Sequence, residues 1–208
     1  MSARRRVRLV AGVVGGAVAG LVLAGCSGGD GGPEGTPVVT SYADYPSYST
    51  PQEIVDAADL IVRGTVVGSH VLEDRPEAAT TGDPRLNPQA GLDDSDVDEV
   101  PGVVVTVSRV RIEQVIKGDA QVGDVVEVAQ LGGLYDGVRY VEAETTTLER
   151  GADDYVLLLA AHGPGVPYDL LHPVQAMYTA DGDDLETVGD DNPVAVDTVQ
   201  DLDALADE

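Results

Sequence analysis

The chain has 208 residues, with 37 acids against 12 bases, a balance that repels phosphate backbones and excludes nucleic acid as a partner. Its single cysteine, Cys26, excludes an internal disulfide and a cysteine zinc cluster. With no Phe and no Trp, a core must be built from Val, Leu and Ile with Tyr as the only aromatic, and such a composition favours strands.

Arg4, Arg5, Arg6 and Arg8 precede an uncharged run, Leu9 to Ala24, of Leu, Val, Ala and Gly, the layout of a signal peptide over residues 1–25. The run ends in Leu23-Ala24-Gly25-Cys26, which resembles the lipobox of bacterial lipoproteins. The resemblance implies cleavage before Cys26, lipid on its sulfur, and a place on the extracellular face of the cell membrane. Two acyl chains suffice for stable anchoring, each buried methylene contributing about 0.8 kcal/mol. The alternative, an uncleaved membrane helix, needs about 20 apolar residues and a stretch less broken than one holding Gly12, Gly15, Gly16 and Gly20. Arg4-Arg5 leaves the export route open between the general and twin-arginine systems. Every acid follows Cys26, so the mature part carries −29, eight bases against 37 acids. One Lys, Lys117, against eleven Arg fits a GC-rich genome, and with the lipobox resembles a lipoprotein of the high-GC Gram-positive type.

Residues 26–50 are expected to form the lipidated cysteine and a flexible tether, Gly-rich from Ser27 to Pro37. Tyr42, Tyr45 and Tyr48 suggest an extended arm that lays its rings on the following domain, the alternative being stacking on cell-wall sugars. Thr50-Pro51-Gln52-Glu53 supplies a hydroxyl cap, a proline at the first helical position and a glutamate three residues after the cap, so a short helix is predicted to about Ala58. Leu60 to Val71 reads as a strand with Val62, Gly64 and Val66 on one face, and Gly64 and Gly68 fit sharp coiling or close backbone approach. Glu73 to Gly102 holds four prolines and nine acids against two arginines, which predicts a mobile acidic loop over 73–102.

Val103 to Ile116 reads as a strand whose apolar phase changes, from Val103, Val105 and Val107 to Val110, Ile112 and Ile116. A period of two cannot do this without an extra residue, so a β-bulge is predicted near Ser108 and Arg109. A turn at Lys117-Gly118-Asp119 leads to a strand over Asp124 to Leu131, with Val126 and Val128 inward. Tyr135 to Val141 is a further strand, Glu142 to Asp153 a polar stretch with weak helical character, and Tyr155 to Ala161 a strand buried on both faces. Val174 to Ala180 and Leu185 to Val188 flank Asp181-Gly182 as a hairpin. In the tail, 191–208, Asp197 caps a short helix with Gln200 three residues later and Val199, Leu202 and Leu205 as its apolar stripe.

These elements make the chain mainly β, with a small OB-like barrel of five or six strands and short flanking helices over 51–190. Ala58 to Val66, Val107 to Gly118 with its Val115-Ile116-Lys117-Gly118 ending, and Gly123 to Val128 together resemble the netrin and TIMP type of OB barrel across roughly residues 55–180. Exported bacterial proteins of unknown role carry similar modules. TIMP-type protease inhibition uses a free N-terminal cysteine, whereas Cys26 is expected to be lipidated and has no partner cysteine, so no functional residue carries over.

No Gly-x-Ser-x-Gly elbow, His-Glu-x-x-His, phosphate loop or dinucleotide fingerprint occurs. Asp94, Asp96 and Asp98 alternate as in a calcium loop, but Glu99 stands where the turn needs Gly and Val105 where a bidentate Glu belongs. The imidazoles are His70, His162 and His172. His162 and His172, with Asp169, are the candidates for a metal site or an acid/base pair. Each lies beside a proline turn, however, which is expected to send them apart. The expectation is a non-catalytic, cofactor-free binding or interaction module of the envelope for a protein, glycan or small ligand. The alternative is an envelope hydrolase or metal-dependent enzyme using His162 or His172.

Overall fold

The computed structural model describes residues 35–75, 80–87, 89–93, 96, 102–151, 154–189 and 192–207. The expected signal peptide over 1–25, Cys26 and residues 27–34 of the expected tether lie outside them, as do Asp94 and Asp98. Ten strands and two helices are described: β1 (Val38–Ser41), α1 (Pro51–Ala57), β2 (Leu60–Asp74), β3 (Val103–Lys117), β4 (Val125–Leu131), β5 (Gly133–Tyr135), β6 (Val138–Glu142), β7 (Asp154–Ala160), β8 (Tyr168–Leu170), β9 (Met177–Asp181), β10 (Asp184–Thr187) and α2 (Val199–Ala206).

The start of α1 follows from its cap chemistry. Thr50 Oγ1 accepts the Glu53 N–H at 3.2 Å, and the Glu53 carboxylate accepts the Ser49 N–H at 2.8 Å. At the other end the Lys117 ammonium donates to the carbonyls of Val55 and Asp56, at 2.7 and 3.3 Å, supplying donors to otherwise unsatisfied helix-end groups. A helix of seven residues is too short to stand alone, so burial of Ile54 and Val55 holds it in place.

Five strands close into a ring: β2 pairs antiparallel with β3, β3 with β4, β4 parallel with β8, β8 antiparallel with β7, and β7 with β2. This is the small OB-like barrel expected from the strand pattern. Inside it pack Leu60, Val62, Val66, Val110, Ile112, Val128, Leu157 and Leu159. The other face of β7 and β2 is also covered, because Val156, Leu158 and Ile61 meet Ile54 and Val55 of α1 and Val199 and Leu202 of α2. That double cover explains the unbroken apolar run of β7. The edge of β7 away from β2 is shared, β9 pairing with Asp154 to Leu157 and β8 with Leu159 and Ala160.

The predicted bulge is displaced. Inward parity along β3 is unbroken, with Val104, Thr106, Ser108, Val110 and Ile112 all buried, and its pairing with β4 is continuous through Ser108 and Arg109. The extra residue at that level is Val67 of the partner strand, whereas β3 carries its own at Glu113 and Ile116. The apparent phase change arises because Val107, on the opposite face, is buried as well. Alternation locates one core face only when the other face meets water.

Other boundaries differ for local reasons. Glu73 and Asp74 belong to β2, paired with Val104 and Val103, so the acidic stretch starts two residues later than expected. The expected strand over Tyr135 to Val141 is a hairpin, β5 and β6, turned by Asp136-Gly137 with φ of 46° and 77°, the left-handed pair of a type I′ turn. The described part of Glu142 to Asp153 contains no helix. The cap of α2 is Thr198, whose Oγ1 accepts the Asp201 N–H at 3.0 Å, rather than Asp197. Val38 to Ser41, within the stretch read as tether, forms β1 and pairs parallel with β6.

Candidate functional site

After β1 the chain crosses the barrel as an arm, fixed by two side chains from elsewhere in the sequence. Glu142, at the end of β6, is buried at 2% exposure. Its Oε1 accepts the Ala43 N–H at 3.2 Å, and its Oε2 accepts the Thr145 hydroxyl at 2.8 Å and the Glu144 N–H at 3.0 Å. Burial alone works against the charged form, but these hydrogen bonds outweigh it and hold the carboxyl below its ordinary pKa. Further along, Gln175 brackets Tyr48, its Oε1 accepting the Tyr48 N–H and its Nε2 donating to the Tyr48 carbonyl, both at 3.1 Å. Tyr48 packs against the core and Tyr45 lies on the ring of His172, whereas Tyr42 is exposed. The tyrosine arm thus lays two of its three rings on the domain.

Between this arm and the outside of the barrel lies a cleft of about 420 Å³. Register places its floor. Asp169 of β8 stands beside both Ala129 of β4 and Ala160 of β7, and Leu131 of β4 beside Val105 of β3, all on the face pointing away from the barrel interior. Tyr45 and Pro46 form the arm wall, Leu171 and Pro173 extend the apolar lining, and His162 stands at the rim on the β7–β8 connection.

The structure gives the two candidate histidines different partners. His162 Nε2 meets Asp169 Oδ2 at 2.8 Å, in a pair about half exposed. Donation of Nε2–H to the carboxylate is the tautomer this geometry implies, leaving Nδ1 as an acceptor. His172 instead turns Nδ1 toward the N–H groups of Val174 and Gln175, at 3.0 and 3.2 Å, and packs against Tyr45 with ring centroids 5.6 Å apart. Burial lowers its pKa, opposed by the charge of Glu144. His70 is exposed on β2, paired with Val107. Among the described residues no three His, Cys, Asp or Glu side chains gather as a metal-binding group, and no helix is long and apolar enough to cross a membrane.

Sequence reasoning grouped His162, His172 and Asp169 as candidates, of which the structure pairs His162 with Asp169, but missed Glu142 and Gln175, the groups that hold the arm over the cleft. A trace of Glu142 was present, since Val138, Tyr140 and Glu142 share one phase of a strand and place a carboxylate on the half-buried side. Gln175 left none, because its role depends on an arm whose docking is not local. No protein-family model matches the chain, nor does any curated protein.

Proposed function

We propose that the protein is an exported lipoprotein held to the outer face of the cell membrane through Cys26, and that its barrel is a non-catalytic binding module which takes its ligand in the cleft beneath the arm. The position of the cleft carries this reading. It lies across the second and third strands of the barrel ring, β3 and β4, with the β7–β8 connection at its rim, the face on which OB barrels hold ligands. The lining is mostly apolar with a few polar groups at one end, as small-ligand sites are.

The His162–Asp169 pair favours the alternative, a hydrolase, because it joins a base to the carboxylate that would orient it. A covalent route needs a side-chain nucleophile in reach, whereas a route that activates water does not. The hydroxyls lining the cleft are committed elsewhere, Thr145 donating to Glu142 and Tyr45 sharing a hydrogen bond with Thr145. The place and the mostly apolar lining of the cleft are what favour binding. Chemical crosslinking on intact cells, comparing wild type with Ala129→Trp to fill the cleft, tests it. Adducts should disappear in the filled variant at unchanged surface level, and adducts indifferent to the substitution would assign binding to another surface.

A further inference from the structure

The polar groups of the cleft are not balanced between donors and acceptors. Gln130 is buried and ties its amide to backbone, its Nε2 donating to the Thr146 carbonyl at 2.9 Å and its Oε1 accepting the Leu148 N–H at 2.9 Å. The Thr145 and Tyr45 hydroxyls are tied to one another and to Glu142. Among the ionisable side chains of the lining, Asp44 on the arm, Asp169 Oδ1 on β8 and Nδ1 of His162 face a ligand, and in the tautomer that donates to Asp169 all three are acceptors. No Lys or Arg lines the cleft. The rest of the surface is apolar: Val105, Ala129, Leu131, Leu171 and the ring of Tyr45.

We infer that the cleft selects a small organic cation, an ammonium or guanidinium group carried on an apolar body, with the charge between Asp44 and Asp169 and the body over the β3–β4 floor. The inference rests on the reading of the cleft as a binding site and adds the chemistry of its occupant. A carboxylate or phosphate ligand would meet two like charges with no Lys or Arg in the lining to offset them. A neutral apolar ligand would fill the floor and leave the acceptors to water. A cation with an apolar body satisfies both parts, and the aromatic face of Tyr45 adds to the preference for positive charge.

Three probes of matched shape separate the terms: 4-phenylbutylamine, 4-phenylbutanol and 4-phenylbutyrate, titrated into the full mature chain while the amide resonances of Ala129 and Leu131 are followed. The ammonium should bind roughly tenfold tighter than the alcohol, as two partly exposed carboxylates permit, and the carboxylate should bind weakest. Asp44→Asn and Asp169→Asn together should erase the preference for the ammonium over the alcohol. If ammonium and alcohol bind equally, or the carboxylate competes with them, the cation inference is overturned and the binding cleft stands. If none of the three moves Ala129 or Leu131, both readings fall.

Discussion

Glu142 Oε1 accepts the backbone N–H of Ala43 at 3.2 Å across 99 residues of chain, with a carboxylate that is buried and answered by hydrogen bonds rather than by a cation. The arm therefore depends on a charge, which makes its docking sensitive to pH in a definite direction. The folded carboxyl has its pKa lowered, so its contribution is complete above the ordinary glutamate range and is lost only as pH falls through the lower, folded value. Protection of the Ala43 amide from exchange, taken relative to its intrinsic rate at each pH, should persist at pH 5 and fall only at more acid pH. Loss of protection already between pH 6 and 5 would refute this account.

Replacing the same residue separates the arm from the barrel. Glu142→Leu should lower stability by about 1–3 kcal/mol, the range for buried hydrogen bonds to a charged group. Exchange protection of Ala43 should vanish while that of Val62 and Leu157 persists. Equal loss at all three positions would mean that Glu142 supports the whole barrel rather than the arm.

His172 titrates in the opposite part of the scale. Its folded pKa is depressed by burial, so the neutral ring contributes stability that is complete above the ordinary histidine pKa of 6.5 and declines below it, toward the folded value. Protonation would also take Nδ1 from the N–H groups of Val174 and Gln175. Urea midpoints should fall between pH 7 and 5, and His172→Asn should flatten the lower part of that profile. An identical pH dependence in the variant would remove His172 as the cause.

Two glycines of β2 give a matched contrast. A Cβ on Gly64 would lie 2.2 Å from the Arg111 carbonyl oxygen, backbone that cannot move without disturbing the ladder, whereas a Cβ on Gly68 would meet nothing within 4 Å. Gly64→Ala should cost at least about 1–3 kcal/mol, as overpacking does, and Gly68→Ala should fall within about 0.5 kcal/mol of wild type. Comparable urea midpoints for the two variants would show that the Gly64 approach is not tight.

The proposed lipid anchor is open to direct test. With Cys26→Ser, incorporation of labelled fatty acid should cease and the protein should appear in the medium or remain as a full-length precursor. Persisting label would place the lipid elsewhere.

The parts of the fold that local chemistry decides were legible in the residues. Thr50-Pro51 and Glu53 located α1, the apolar run from Tyr155 located β7, and alternation located β2 and β4. Alternation failed in β3 because Val107 is buried on the face that a one-core reading assigns to water. The closing strand β8 was not legible: three residues, Tyr168 to Leu170, inside a Pro and Gly segment carry no periodicity and are ordered by their neighbours. The arm was hidden for a similar reason. Its sequence looks like linker, and the residues that hold it, Glu142 and Gln175, are distant in the chain and polar. His162 and Asp169, seven residues apart, were near enough in sequence to be suspected together.

The short seam of the ring has a mechanical consequence. β8 meets β4 through two residue pairs and β7 through two, far fewer than the ladder that joins β2 to β3. If the barrel breathes, it parts along this line, with β2, β3, β4 and the first half of β7 still laced together. Asp169 rides on the moving piece while Ala129 stays with the fixed one, so parting the seam also splits the floor of the cleft. An occupant that touches both would act as a rivet, and slower amide exchange at Tyr168 and Leu170 would report occupancy from inside the barrel wall.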